Sequence, residues 1–389
     1  MLGLRRMMLG IVVGAALAVV MPGAAAAAVD PQVVRLGLPA PTGPHRVGTT
    51  SLHLIDNSRL DPLAPTERSR ELMVRLWYPA RHASSQPKAG YMPAIQGALL
   101  TRQINALLGS GHAADLLTFP THSLQDAPAG TGERRPVLLF SPGLGTNTAL
   151  YTALIEELAS RGYMVAGIDH TFDAGAVEFP HGRIETQNPA ALTDGARLLA
   201  VRVADTRFVL DQLTALASGH NPDADHRAVP AGLGEAMDLS RVAAFGHSLG
   251  SITAIGAIEQ DRRFGAGAVL DGNPLGPASL DRPILMMGNQ THRRADDQDW
   301  ADFYDRLRGS RLHMVIDGAL HYDLTDVTVF KKSIPDLGKI FEVGPIDGLR
   351  ALTIQRAYLT AWFDHYLRDR PSPLLRCESP QFPEVDFQP

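Results

Sequence analysis

The five residues Gly246-His247-Ser248-Leu249-Gly250 close a run of small apolar residues that begins at Val242. A serine flanked by glycines two positions away on either side is the pattern of a nucleophile held on a sharp strand-to-helix turn. Such a turn strains the serine backbone, and Gly246 and Gly250 leave room for the chain segments that cross there. It lifts the Ser248 hydroxyl above the sheet and aims the N-terminus of the next helix at it. The Leu249 N–H is then available to a developing oxyanion. The chemistry this permits is attack on a carbonyl. The five-residue pattern also arises by chance in glycine-rich chains, so its weight rests on the strand before it and the helix after it.

A serine hydroxyl needs a base, and the base needs a carboxylate to fix its tautomer and stabilise its cation. On sheets that carry this turn the chain order is serine, acid, histidine. Of the histidines after Ser248, His292 follows an apolar run, His313 lies inside one and His365 falls in the last helical pattern. His321, in "GALHYDLTD", lies just beyond the final run, where a loop carries it over the sheet edge. Its alternative role is a loop residue that caps the next helix. For the acid, Asp271 in "VLDGNPLG" sits directly at a strand end, although Asp-Gly is also a common turn. Asp296 and Asp297, one strand later among charged residues, are the competitors, and Asp271 is preferred for its position. The second oxyanion donor is expected from "FSPGLGTN": Gly143 and Gly145 let the backbone approach a carbonyl, and Leu144 N–H is the candidate.

These residues need a scaffold, and the apolar runs supply one. "VLLFSPG" (137–143), "MVAGIDH" (164–170), "VAAFGH" (242–247), "AGAVLDG" (266–272), "ILMMGN" (284–289) and "LHMVIDG" (312–318) have the continuous hydrophobicity of strands covered on both faces. Helical patterns lie between and after them at 150–161, 190–217, 249–260, 296–307 and 349–367. The alternation predicts an α/β fold with a mostly parallel, doubly wound sheet. "SLHLID" and "LMVRLWYP" predict an N-terminal antiparallel hairpin, and residues 82–135 a surface insertion around one helix, 94–108. The chain shows no internal repeat. We expect one domain over 29–389 with a C-terminal tail at about 370–389. In open parallel sheets ligands gather at the carboxyl ends of the strands, where Ser248, Asp271 and the 141–145 loop fall.

Other chemistries fit less well. With 36 Lys+Arg against 41 Asp+Glu there is no basic excess for nucleic acid or anionic lipid. Gly143-x-Gly145 followed by a helix, a strand and Asp169 imitates a dinucleotide-binding unit, but Thr148 stands where the third glycine belongs. His170 with Asp173, and His321 with Asp323, lack a third ligand at regular spacing, so no metal or organic cofactor is expected. His170 is taken as a strand-end residue lining a cleft. Cys377 has no partner cysteine in the chain. Arg5 and Arg6 before an apolar stretch, then Pro22-Gly23 and an alanine-rich region, have the form of an export leader over 1–28, cleaved near Ala28.

"LLFSPGLG", "GHSLG", "VLDG" and "GALHYDLTD", in this order and spacing, resemble the plasma-type platelet-activating factor acetylhydrolase family, and especially its exported bacterial lipase or esterase members. The resemblance extends from about Val47, through "ELMVRLWYPA" and "YMPA", to about Tyr366. It implies an α/β-hydrolase fold and a serine ester hydrolase working without metal or calcium on short-acyl or lipid esters. It assigns the nucleophile to Ser248, the acid to Asp271, the base to His321 and the oxyanion donors to Leu144 and Leu249. Apolar stretches such as "ALLTRQINALLG" leave transient lipid-surface contact open, although packing on the domain is preferred. Two departures, Pro142 where the family often has His and Ser251 where it often has Gly, are expected to border the acyl pocket. A catalytically silent ligand-binding member and a serine peptidase or amidase are the rival classes.

Overall fold

The computed structural model describes residues 34–81, 85–113, 115–272 and 279–388. The expected leader, residues 1–28, lies outside them. Two long strands, β1 (Val47–Leu60) and β2 (Ser69–Pro79), form the antiparallel opening hairpin. After them come β3 (Lys88–Gly90), α1 (Ala94–Leu108), β4 (Pro120–Gln125), β5 (Arg135–Ser141), α2 (Thr152–Ser160), β6 (Met164–Asp169), β7 (Ala176–Glu178) and β8 (Ile184–Thr186). The second half holds α3 (Gly195–Ala217), β9 (Met237–His247), α4 (Leu249–Gln260), β10 (Phe264–Leu270), β11 (Ile284–Asn289), α5 (Gln298–Arg306), β12 (Arg311–Ile316), α6 (Val327–Phe330), α7 (Gly348–Arg368) and β13 (Val385–Phe387).

Eleven of these strands form one sheet in the order β13-β12-β11-β10-β9-β5-β6-β2-β1-β4-β3, and β7 and β8 pair separately. The centre, β12 to β6, is parallel throughout. Because side chains alternate across a strand, each central strand feeds two cores. Leu138, Phe140, Ala243 and Phe245 face α2 and α7, while Val137, Leu139, Val242 and Ala244 face α3, α4 and α5. That double burial explains the continuous apolar runs. The sheet is the mostly parallel one expected of an α/β-hydrolase.

Three segments differ from the sequence expectation. The 190–217 pattern starts as a separate turn, Pro189–Thr193, and the helix begins only at Gly195, where Asp194 caps it by accepting from Arg197 N–H. Residues 82–135 are more than a surface excursion: β4 pairs with β1 and β3 with β4, and Tyr91, Met92, Leu116 and Leu117 are buried in a cluster with Phe330 and Leu337. The C-terminal tail returns to the sheet, where β13 pairs with β12.

Candidate active site

Ser248 sits between β9 and α4 with φ 56° and ψ −124°, a left-handed conformation that costs a non-glycine residue energy. The flanking glycines are required sterically. A Cβ on Gly250 would lie 1.9 Å from the Ser141 carbonyl oxygen, and one on Gly246 2.2 Å from the Gly250 carbonyl oxygen. The turn is fastened below by Ser251, whose Oγ donates to Gly246 O at 2.7 Å and lies 3.0 Å from both Leu270 O and Leu270 N. Ser248 is partly exposed, and its Oγ makes no hydrogen bond among the described residues.

The structure brings His321 and Asp271 together: Nδ1 lies 2.6 Å from Asp271 Oδ2. Asp271, one residue past β10 at φ 50°, is fully buried. Its two oxygens also accept from Asn289 N–H at 2.6 Å and Asn289 Nδ2 at 2.8 Å. Burial would push this carboxyl up, but nearby His292 and the His321 bond outweigh that and hold it well below the usual carboxylate range. His321 opens a turn anchored by Asp323, which accepts from Leu320 N–H, Thr328 Oγ1 and Lys331 Nζ. Asp323 is therefore part of the loop's anchor and forms no metal pair with His321. Of the competing acids, Asp297 caps α5 and bonds His292 Nδ1 at 2.7 Å; neither it nor Asp296 bonds His321.

The loop after β5 approaches Ser248 closely, since a Cβ on Gly143 would lie 3.3 Å from that of Ser248. Gly143 N–H donates to Tyr151 Oη at 3.1 Å and Gly145 N–H to Asp173 Oδ1 at 3.2 Å. The Leu144 N–H between them, and the Leu249 N–H at the start of α4, have no acceptor among the described residues.

Tyr151 Oη is 2.9 Å from His247 Nδ1, and His247 Nε2 is 3.0 Å from the His321 carbonyl oxygen. The His321 carbonyl oxygen can only accept, so we assign the proton to Nε2, which leaves Nδ1 to accept from the Tyr151 hydroxyl. Burial and the neighbouring His321 lower the His247 pKa to about 3, so it is neutral. His247, Asp271 and His321 offer ligand-type atoms within 4.8 Å of one another. Both His247 nitrogens are already bonded, however, so a metal would have to displace existing contacts.

Similarity to known proteins extends over most of the chain. Residues 32–190 and 196–369 match the family model of platelet-activating factor acetylhydrolase, isoform II. The chain belongs to this family. A probable 1-alkyl-2-acetylglycerophosphocholine esterase of Arthroderma benhamiae is 28% identical, the match covering 90% of this chain and 93% of that one. A platelet-activating factor acetylhydrolase of Cavia porcellus is 25% identical over 85% and 78%. Among solved structures, a ferulic acid esterase from Streptomyces cinnamoneus superposes with TM-score 0.76 at 34% identity, covering 91% of this chain and 99% of that one. Kinship and fold together make the chain a carboxylic ester hydrolase.

In this member of the acetylhydrolase family the two departures do not border the pocket. Ser251 lies buried under the elbow, and Pro142 is buried with its carbonyl on Arg202. A cavity opens beside Leu144, and its walls include Met92, Leu100, Ile104, Leu150, Tyr322 and Phe330. Among the described residues no charged side chain lines it. His170 lines no cleft: it is fully buried, with Nδ1 2.9 Å from Asp205 and Nε2 2.8 Å from Ser141 Oγ. Asp173 is ion-paired with Arg202. Sequence reasoning missed Tyr151, Arg202 and Asp205. The last two had a signal: Leu198, Arg202, Asp205, Val209, Leu213 and Leu216 fall on one helical stripe, so two charges occupy core positions.

Proposed function

We propose that the chain hydrolyses carboxylic esters with apolar acyl groups through a Ser248–His321–Asp271 triad and an acyl-enzyme on Ser248. The observation that carries this reading is the 2.6 Å His321–Asp271 bond beside the strained serine turn. With Nδ1–H committed to Asp271, His321 Nε2 is the basic nitrogen. It accepts the Ser248 proton as Oγ attacks the ester carbonyl, then protonates the departing alcohol. A water repeats the sequence and releases the acid. The Leu144 and Leu249 N–H groups bind the oxyanion, each worth about 3 kcal/mol where such donors have been removed. Only ester and water are consumed.

The names of the relatives suggest two ester types: the acetyl ester of an alkyl-glycerophosphocholine and a ferulate ester. The uncharged cavity next to Leu144 favours an apolar group on the acyl side. The arginine-led apolar stretch before Val29 supports export, and a secreted chain is expected to begin near that residue.

The test is hydrolysis of p-nitrophenyl esters from acetate to octanoate, a short-acyl phospholipid and methyl ferulate, with Ser248→Ala as control. Ester turnover that disappears in Ser248→Ala is expected. Turnover surviving in Ser248→Ala, absence of labelling by an organophosphonate, or peptide hydrolysis without ester hydrolysis would each overturn the reading.

A further inference from the structure

Arg202 and Asp173, completely buried at the base of the site, take no part in the chemistry proposed above, yet they hold the loop that carries Leu144. All five Arg202 N–H groups are engaged. Nε and Nη2 pair with Asp173 at 2.5 and 2.8 Å, Nη1 donates to Pro142 O at 2.7 Å and to Ser141 Oγ at 3.4 Å, and Nη2 donates to Gly143 O at 3.2 Å.

The carbonyl of one residue and the N–H of the next share a planar trans peptide and point in opposite directions. Fixing the Gly143 carbonyl on Arg202 therefore fixes the direction of the Leu144 N–H. The next peptide is fixed from its other end, since Gly145 N–H donates to Asp173. The preceding one is held at both ends, Pro142 O on Arg202 and Gly143 N–H on Tyr151. Three consecutive peptide planes are thus held by one ion pair and one phenol, with Thr146 Oγ1 and Thr146 N–H also donating to Gly143 O at 2.9 and 3.2 Å, and the Leu144 N–H is the donor left free among the described residues. A lone surface ion pair would do none of this. The fork geometry of a guanidinium is what lets one side chain meet a carboxylate and two carbonyls together.

We infer that the Arg202–Asp173 ion pair is the positioning device of the oxyanion site, aiming the Leu144 N–H at the substrate carbonyl. This rests on the reading of Leu144 as an oxyanion donor. Lysine at 202 keeps the charge but cannot serve Asp173, Pro142 O and Gly143 O together, so Arg202→Lys separates aim from charge.

The experiment compares wild type with Arg202→Lys, Asp173→Asn and Arg70→Lys. Arg70 is an equally buried arginine that pairs with Asp61 and Asp205 and does not touch the loop. Each variant is assayed on p-nitrophenyl acetate and titrated with an alkyl trifluoromethyl ketone, which adds to the serine and places an oxyanion in the site. The matching methyl ketone reports ground-state binding. Arg202→Lys and Asp173→Asn are expected to lower kcat by at least about tenfold, towards the 10²–10³-fold cost of removing one oxyanion donor. The ratio of trifluoromethyl to methyl ketone affinity should fall in parallel. Arg70→Lys should lower the melting temperature and leave that ratio unchanged.

An unchanged ratio in the folded 202 and 173 variants, or an equal fall in Arg70→Lys, would overturn the inference. Either result can occur while Ser248→Ala is still inactive, so failure here is distinct from failure of the triad.

Discussion

Asp271 is a carboxylate removed from water and yet kept charged, which makes its two oxygens acceptors in every state of the enzyme. His321 Nδ1 and Asn289 Nδ2 both point at Oδ2, and an amide nitrogen there would face at least one donor instead of an acceptor. Asp271→Asn is therefore expected to lower kcat on p-nitrophenyl acetate by about 10⁴-fold, the cost of the equivalent change in other serine hydrolases. Asparagine tolerates the left-handed backbone at 271, so the fold should persist. A loss below about tenfold would point to Asp297, the carboxylate on neighbouring His292, as the acid. The elbow glycines make a different demand, because the atoms they approach are backbone and cannot rotate away. Gly250→Ala puts a methyl 1.9 Å from Ser141 O, and the expected outcome is loss of soluble protein rather than a folded enzyme of reduced activity. Recovery of a folded, active Gly250→Ala would mean that the turn is looser than its geometry.

Helix α1 contributes Leu100 and Ile104 to the wall of the cavity beside Leu144. A larger side chain at Ile104 should shorten the cavity without touching Ser248. Ile104→Trp is expected to reduce kcat/KM on the octanoate ester by about tenfold or more, the scale on which apolar pockets discriminate chain length, while acetate is little affected. Equal loss on both esters would place the acyl group elsewhere. The strands and helices around the elbow were legible because burial on both faces makes each strand a continuous apolar run and each loop end a site. The insertion around the cavity wall was less so. β3 and β4 are short and polar, "KAG" and "PTHSLQ", and only the pairing of β4 with β1 and of β3 with β4 makes them strands, which no local pattern reports. The His321–Asp271 pairing followed from chain order and strand ends. Arg202 and Asp173 are 29 residues apart in sequence, and a charge on a helix ordinarily means a solvated face.

Three buried histidines bind the behaviour of the whole molecule to pH. Burial, with the Arg202 charge close by, lowers His170 to about 4. Burial likewise lowers His313 to about 4, and burial with His321 lowers His247 to about 3. In the unfolded chain each titrates near 6.5. Between pH 6.5 and about 4 the unfolded chain therefore binds protons that the native state refuses, and stability falls as pH falls. Each such proton is worth about 1.4 kcal/mol per pH unit, so three approach about 4 kcal/mol per unit, against a total of about 5–15 kcal/mol for an ordinary domain. His292 works in the opposite sense. Burial would lower its pKa, but Asp271 and Asp297 raise it above 6.5, so its contribution is present at acid pH and lost as pH rises through the raised value. Burial would likewise lower His53, but Glu71 and Asp225 raise it; at acid pH both groups are protonated folded and unfolded, so neither offsets the slope there. The chain is thus expected to unfold on acidification well before Asp271 takes up a proton, and its acid inactivation should follow the loss of structure. Melts from pH 7.5 to 4.5 test this. His313 bonds the His292 carbonyl through Nε2, a contact glutamine can keep, so His313→Gln should flatten the slope of stability against pH by about one proton. An unchanged slope in that variant, or a flat melting temperature in the wild type, would place the acid sensitivity in the carboxylates instead.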